Sequence, residues 1–230
     1  MFLQIKLTVP NCTCLKDPQE TKLGVLIMQN SIELIDEIGF EAFTFKKLAQ
    51  KITSTEASVY RYFENKHQLL MFLYAWYWGK IEYQIHVETL HIEDTEERLF
   101  KAVKMLIEKK YSNDIYAFVD ELKLKRIIES EGIKSILNKK VDDVNKNGAF
   151  DNYKNLVAKL GGWIQEIMPN YPYPKMLIST IIEGAHIQHF FTEHLPRLTD
   201  VKNDNENVES FFIEFLQLLI TQNNKNGQSN

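Results

Sequence analysis

Apolar residues recur along this chain at helical spacing, and polar stretches separate the runs. Leu23, Ile27, Leu34 and Ile38 share one face of a first helix, and Gly39 stands where a helix C-terminus favours a residue without Cβ. Thr44 can cap a second helix with Phe45, Leu48, Ala49 and Ile52 facing inward. Ile52, Thr53 and Ser54 make a tight turn, and Thr55 can cap a short third helix. Asn65, with Gln68 three residues on, is a box-like cap for a long fourth helix carrying Leu69, Leu73, Trp76 and Tyr83. Asp94 with Glu97 opens a fifth, and Asn113 or Asp114 opens another that stops at Gly132. A shorter segment from Ile133 to about Asn145 precedes the turn Asn147-Gly148, and helix resumes from Asp151 to Met168. After Pro169, Pro172 and Pro174 comes a long apolar-rich helix to Leu195, closed by Pro196. The last helix spans about Glu206 to Thr221. Residues 2–9 alternate loosely up to Pro10 and could form a short strand or an arm.

The pattern predicts an all-α protein. The chain has 230 residues with 44% apolar content, and only 9 Gly and 6 Pro, which suits helices around a substantial core. Four segments are expected: an N-terminal extension (1–19), a three-helix domain (20–68), a larger helical bundle (69–222) and a disordered tail (223–230). The N-terminus lacks the pattern of an export signal, and the longest apolar run, Leu69 to Trp78, is too short to span a bilayer. A soluble, cytoplasmic protein without membrane contact is expected. Cys12 and Cys14, one residue apart, suit neither a structural disulfide nor a metal site and are expected to be ordinary thiols in a loose segment.

Net charge is −4, which counts against purely electrostatic binding of nucleic acid, but the distribution is uneven. From Thr44 to Lys66, five cations (Lys46, Lys47, Lys51, Arg61, Lys66) face two anions (Glu56, Glu64), a local balance of +3. Two helices joined by a three-residue turn, the second short and exposed, form a helix-turn-helix. A helix that enters a major groove needs small side chains at its leading end to approach base edges; Thr55, Glu56, Ala57 and Ser58 meet that need. It also needs donors for phosphates; Tyr60, Tyr62 and Lys66 can supply them, and Thr44 sits at a helix N-terminus that favours a phosphate. Val59 and Phe63, four apart, would anchor the helix. Tyr62 could instead be a packing aromatic, and Arg61 and Lys47 merely solvated.

Residues 22–70 resemble the N-terminal DNA-binding domain of the TetR (tetracycline-repressor-like) family of bacterial transcriptional regulators. The matching features are Ile27 and Met28, Glu37-x-Gly39-Phe40, Thr44, Leu48-Ala49, Ser58-Val59-Tyr60-Arg61-Tyr62-Phe63-x-Asn65-Lys66 and Leu69-Leu70. The family usually has Gly and then an aliphatic residue in the turn, where this chain has Thr53 and Ser54; a left-handed residue there would cost about 1 kcal/mol or more without glycine. Where many members carry Gly in the recognition helix, this chain has Ala57, a better helix former. By resemblance, Thr44, Tyr60, Tyr62 and Lys66 would contact phosphates, while Lys46, Glu56, Ala57 and Ser58 would face the groove. Glu56 could accept from a cytosine amino group or simply favour the helix N-terminus.

The resemblance implies a homodimeric, ligand-responsive regulator, more often a repressor, that binds a double-stranded palindromic operator. The last two long helices suit the pairing: wide apolar arcs include Ile181 and Phe211, Phe212, Phe215 and Leu219, and Gly184 and Ala185 allow close approach. A small-molecule effector would sit among aromatic and polar residues; Tyr116, Tyr153, Trp163, His186, His189 and Phe190 are the candidates. Glu183, His186 and His189 wind around their helix and make no compact metal face, and no cofactor is implied. No catalytic arrangement stands out, so an enzyme is not expected. The alternative reading is a helical ligand carrier or interaction module that has lost DNA binding.

Overall fold

Side-chain caps start most helices where the polar breaks put them. The computed structural model describes residues 6–10, 13–108, 118–136, 139, 141–201 and 206–227. Ten α-helices are present among them: α1 (Lys22–Ile38), α2 (Phe45–Lys51), α3 (Glu56–Tyr60), α4 (Lys66–Thr89), α5 (Thr95–Ile107), α6 (Glu121–Ile136), α7 (Val141–Lys146), α8 (Asp151–Ile167), α9 (Pro174–His194) and α10 (Glu206–Gly227). No strand occurs among the described residues, and no helix there is long and apolar enough to cross a membrane. Hydroxyls of Thr21, Thr44 and Thr55 accept from the amides of Gly24, Lys47 and Ser58, opening α1, α2 and α3. Asn65 does the same for Gln68, whose side chain accepts from the Glu64 amide. Asp94 caps α5 through the Glu97 amide at 2.7 Å.

The chain forms two compact units. The first comprises Met1–Lys80 and Lys110–Tyr153; the second comprises Ile81–Lys109 and Lys154–Asn230. The stretch expected as one bundle, 69–222, therefore contributes to both. In the first unit, α1–α3 close over Ile27, Met28, Ile32, Phe43, Leu48, Val59 and Phe63, all fully buried. α6 joins this body because it packs along α1. Arg126 grips Asp36 with two parallel bonds of 2.8 and 2.7 Å, and the Gln29 amide donates to the Phe118 carbonyl at 2.5 Å. In the second unit, α5, α9 and α10 pack on one another, and Leu99, Val103, Leu160, Ile164, Ile178 and Leu216 fill its interior.

Several boundaries differ from the sequence pattern. Asn113 and Asp114 lie outside the described residues, and the helix there starts at Glu121, capped by Asp120 through the Lys123 amide at 3.1 Å. Gly132 does not end it. That glycine lies inside α6 because Tyr74 packs on it: a Cβ would meet the tyrosine ring at 3.2 Å. α6 also buries charge on its inner side, where Lys125 (2% exposed) pairs with Glu129 at 3.7 Å and Glu121 pairs with Lys80. α10 continues past Thr221 to Gly227, into the stretch expected to be disordered. Cys12 lies outside the described residues. Cys14 stands in an anchored segment rather than a loose one, because Thr13 is buried and the Leu15 amide donates to the Tyr62 carbonyl at 2.8 Å.

Candidate nucleic-acid interface

The turn between α2 and α3 aims the site. The Ser54 amide donates to the Ala49 carbonyl at 2.8 Å and the Thr53 amide to that of Gln50 at 3.2 Å. Those two bonds are the helix-ending motif that places its C′ residue in the left-handed region, and Thr53 is there, at φ 52°. Threonine thus holds a conformation that glycine takes without strain. Thr55 begins α3 directly afterwards.

α3 is anchored by Val59 and, just past its end, by Phe63, and it leaves Glu56, Ala57 and Tyr60 exposed. Tyr60 rests its ring against Phe45, edge-on at 5.0 Å, while 48% of the residue stays in solvent. Thr55 is exposed, and its hydroxyl lies 2.9 Å from that of Ser58, to which Arg61 donates at 3.2 Å. Ser58 is 8% exposed, so it is the inward node that steadies Thr55 and Arg61. Thr44 and Lys46 are exposed at the start of α2. Lys47, also exposed, donates to the Ala42 carbonyl at 2.8 Å.

Two residues assigned to phosphates are placed otherwise. Tyr62 is 5% exposed, and its hydroxyl lies 2.7 Å from that of Thr21. It is a packing aromatic whose polar end is used within the unit. The Lys66 ammonium donates to the carbonyls of Phe40 and Glu41, each at 3.0 Å, and sits 4.8 Å from the centre of the Phe40 ring. It ties the loop after α1 to the start of α4. The residues that remain presented are Thr44, Lys46, Thr55, Glu56, Ala57, Tyr60 and Arg61, from the start of α2 and from α3, two helices packed on each other. The pattern did not single out Lys16, which is exposed and stands 5.6 Å over the Tyr62 ring. Its only signal in the sequence is its place just before the turn-forming Asp17-Pro18.

The effector candidates are dispersed. Tyr116 lies outside the described residues. Tyr153 packs on Trp78 at 4.5 Å and on Tyr74 at 6.2 Å in the first unit. In the second, Trp163 is buried beneath the Arg98 guanidinium at 5.5 Å. His186 is buried, its Nδ1 3.7 Å from Glu183, and His189 is buried with Nε2 2.9 Å from the Ile107 carbonyl. Phe190 is instead half exposed. A surface cleft of about 450 Å³ in this unit is lined by Gln188, Leu198, Asp200, Val201, Val208 and Phe211 among others, and by none of the five candidates among the described residues.

The residues expected to pair two copies divide in the same way. Ile181, Ala185 and Phe212 are buried within the unit, and the space over Gly184 is filled by the Phe212 ring, which a Cβ would meet at 2.9 Å. Leu219 is partly buried. Phe211 and Phe215 are exposed (58% and 41%), as are Leu218 on α10 and Ile187 on α9.

An exposed short helix fixed behind a tight turn makes a helix-turn-helix. The sequence model of the bacterial regulatory proteins of the tetR family matches residues 27–71, which covers α2, α3 and most of α1. That match gives residues 27–71 the likeness of the family's helix-turn-helix segment. Its fold is similar to that of a provisionally assigned transcriptional regulator from Saccharomonospora viridis, solved in complex with choline. That structure has 17% identity and a TM-score of 0.60, and the match covers 84% of this chain and 94% of that one. The structure of apo AibR matches at 16% identity and a TM-score of 0.41, over 83% and 96%. No curated protein sequence matches the chain.

Proposed function

We propose that two copies of this chain bind a palindromic DNA operator and repress transcription, and that a small molecule held by the helical body releases them. The outward face of α3, with Glu56, Ala57, Tyr60 and Arg61 presented and Val59 buried behind it, carries the reading. Base edges are reached from the small side chains, and Thr44, Lys46, Tyr60 and Arg61 supply donors to the phosphates. Reading successive major grooves needs two such helices about 34–36 Å apart, and hence a dimer. Phe211, Phe215 and Leu218, at helical spacing on α10, together with Ile187 and Phe190 on α9, leave exposed apolar surface that a second copy would cover. A regulator of similar fold holds choline, which supports a small-molecule effector here. An effector of this chain would be apolar or aromatic with a few polar anchors, drawn to Trp163, His186 and His189 in the second unit. Release requires a coupling of about 1–3 kcal/mol between effector and operator.

Selection of bound duplexes from a random pool tests this directly. A two-fold symmetric consensus, bound by a species of twice the chain mass in light scattering, is the expected outcome. Recovery of no preferred sequence would favour the carrier reading.

A further inference from the structure

The structure removes one phosphate donor from the interface and sets another in its neighbourhood. The Tyr62 hydroxyl is used by Thr21, and the ring is almost fully buried. Above that ring stands the ammonium of Lys16, 5.6 Å from its centre. The position is held by backbone: the neighbouring Leu15 amide donates to the Tyr62 carbonyl at 2.8 Å. On the other side, Asp17 caps the short turn Pro18–Glu20 through the Gln19 amide at 2.9 Å. The Gln19 side chain then binds both backbone groups of Leu7, at 3.1 and 3.0 Å, and accepts from the Trp76 indole at 3.1 Å. Lys16 is therefore carried by a fixed extension, just beyond the C-terminal end of the recognition helix.

Four other lysines of this unit are engaged within it. Lys6 pairs with Glu20 at 2.6 Å and Asp17 at 3.2 Å, and the hydrogen bonds that its ammonium donates to those carboxylates, that to Glu20 foremost, raise its pKa. Lys51 pairs with Glu33 at 3.2 Å, and Lys47 and Lys66 donate to backbone carbonyls. Lys16 is exposed and, among the described residues, pairs with no carboxylate or carbonyl. We propose that Lys16 contacts a backbone phosphate of the bound duplex, in the role that the Tyr62 hydroxyl cannot take. This rests on the DNA-binding reading above. Lysine suits it as a point charge that needs no bidentate geometry.

The test measures affinity of the full chain for its selected duplex and for a random duplex from roughly 50 to 200 mM salt, comparing wild type with Lys16→Met and Lys16→Arg. Lys16→Met keeps the stem over Tyr62 and drops the charge. Because two copies bind, each with its Lys16, the slope of log K against log salt should fall in magnitude by about 1.8, with affinity near 0.1 M salt down about sixtyfold on both duplexes. Lys16→Arg should retain the wild-type slope. An unchanged slope for Lys16→Met with wild type binding normally would overturn the proposal, as would a lowered slope for Lys16→Arg or a slope lowered by Tyr62→Phe instead. Wild type binding no duplex selectively would overturn the DNA reading itself.

Discussion

At the scale of single residues, the turn and the recognition helix separate strain from recognition. Thr53 holds a left-handed backbone that costs a β-branched residue about 1–2 kcal/mol. Thr53→Gly removes that strain but frees the unfolded chain, so the expected gain is about 0.5–1 kcal/mol by denaturant unfolding. A lower midpoint would show the turn to be unstrained. Glu56 and Ser58 share the leading end of α3 in the sequence, yet one is exposed and the other buried. Glu56→Gln should change the preferred base at one position of each half-site, because an acceptor for a cytosine amino group becomes an amide suited to adenine. Ser58→Ala should leave that preference alone and cost about 0.5–1 kcal/mol of stability through the lost hydroxyl network. Duplex selection and thermal melting on the two variants distinguish these roles. The sequence could not do so, because in a five-residue helix the burial of a small side chain depends on what packs behind it.

At the scale of elements, the helix-turn-helix was legible because its signals are local. Apolar spacing sets the inner faces of α1 and α2, and single threonines cap α1, α2 and α3. α6 was legible as a helix, but its end and its buried side were not, for the opposite reason. Its inner side carries Glu121, Lys125 and Glu129, charges that pattern reading assigns to solvent, and its glycine answers to Tyr74 from another helix. The join between α1 and α6 depends on a partner 90 residues away, Arg126 on Asp36. Arg126→Lys should cost less than about 1 kcal/mol, since the arginine is half exposed and only the forked geometry is lost. Phe63→Ala, by contrast, empties a fully buried site behind α3 and should cost about 3–5 kcal/mol. Chemical denaturation of both variants checks the ranking.

At the scale of the whole molecule, recognition of a palindrome requires two chains. The apolar faces of α9 and α10 were legible as a wide arc, but which residues turn inward was not: Phe212 fills the space over Gly184, and Phe211 and Phe215 remain exposed. Phe215→Glu should yield a folded monomer whose selective affinity for duplex falls at least about a hundredfold, since one half-site replaces two. Most decisive is a hydroxyl-radical footprint of the wild-type chain on its selected duplex. Two protected patches related by a dyad, their centres about 34–36 Å apart along one face, are expected. A single patch, or protection spread evenly along random and selected duplexes alike, would contradict the pairing of two α3 helices on DNA.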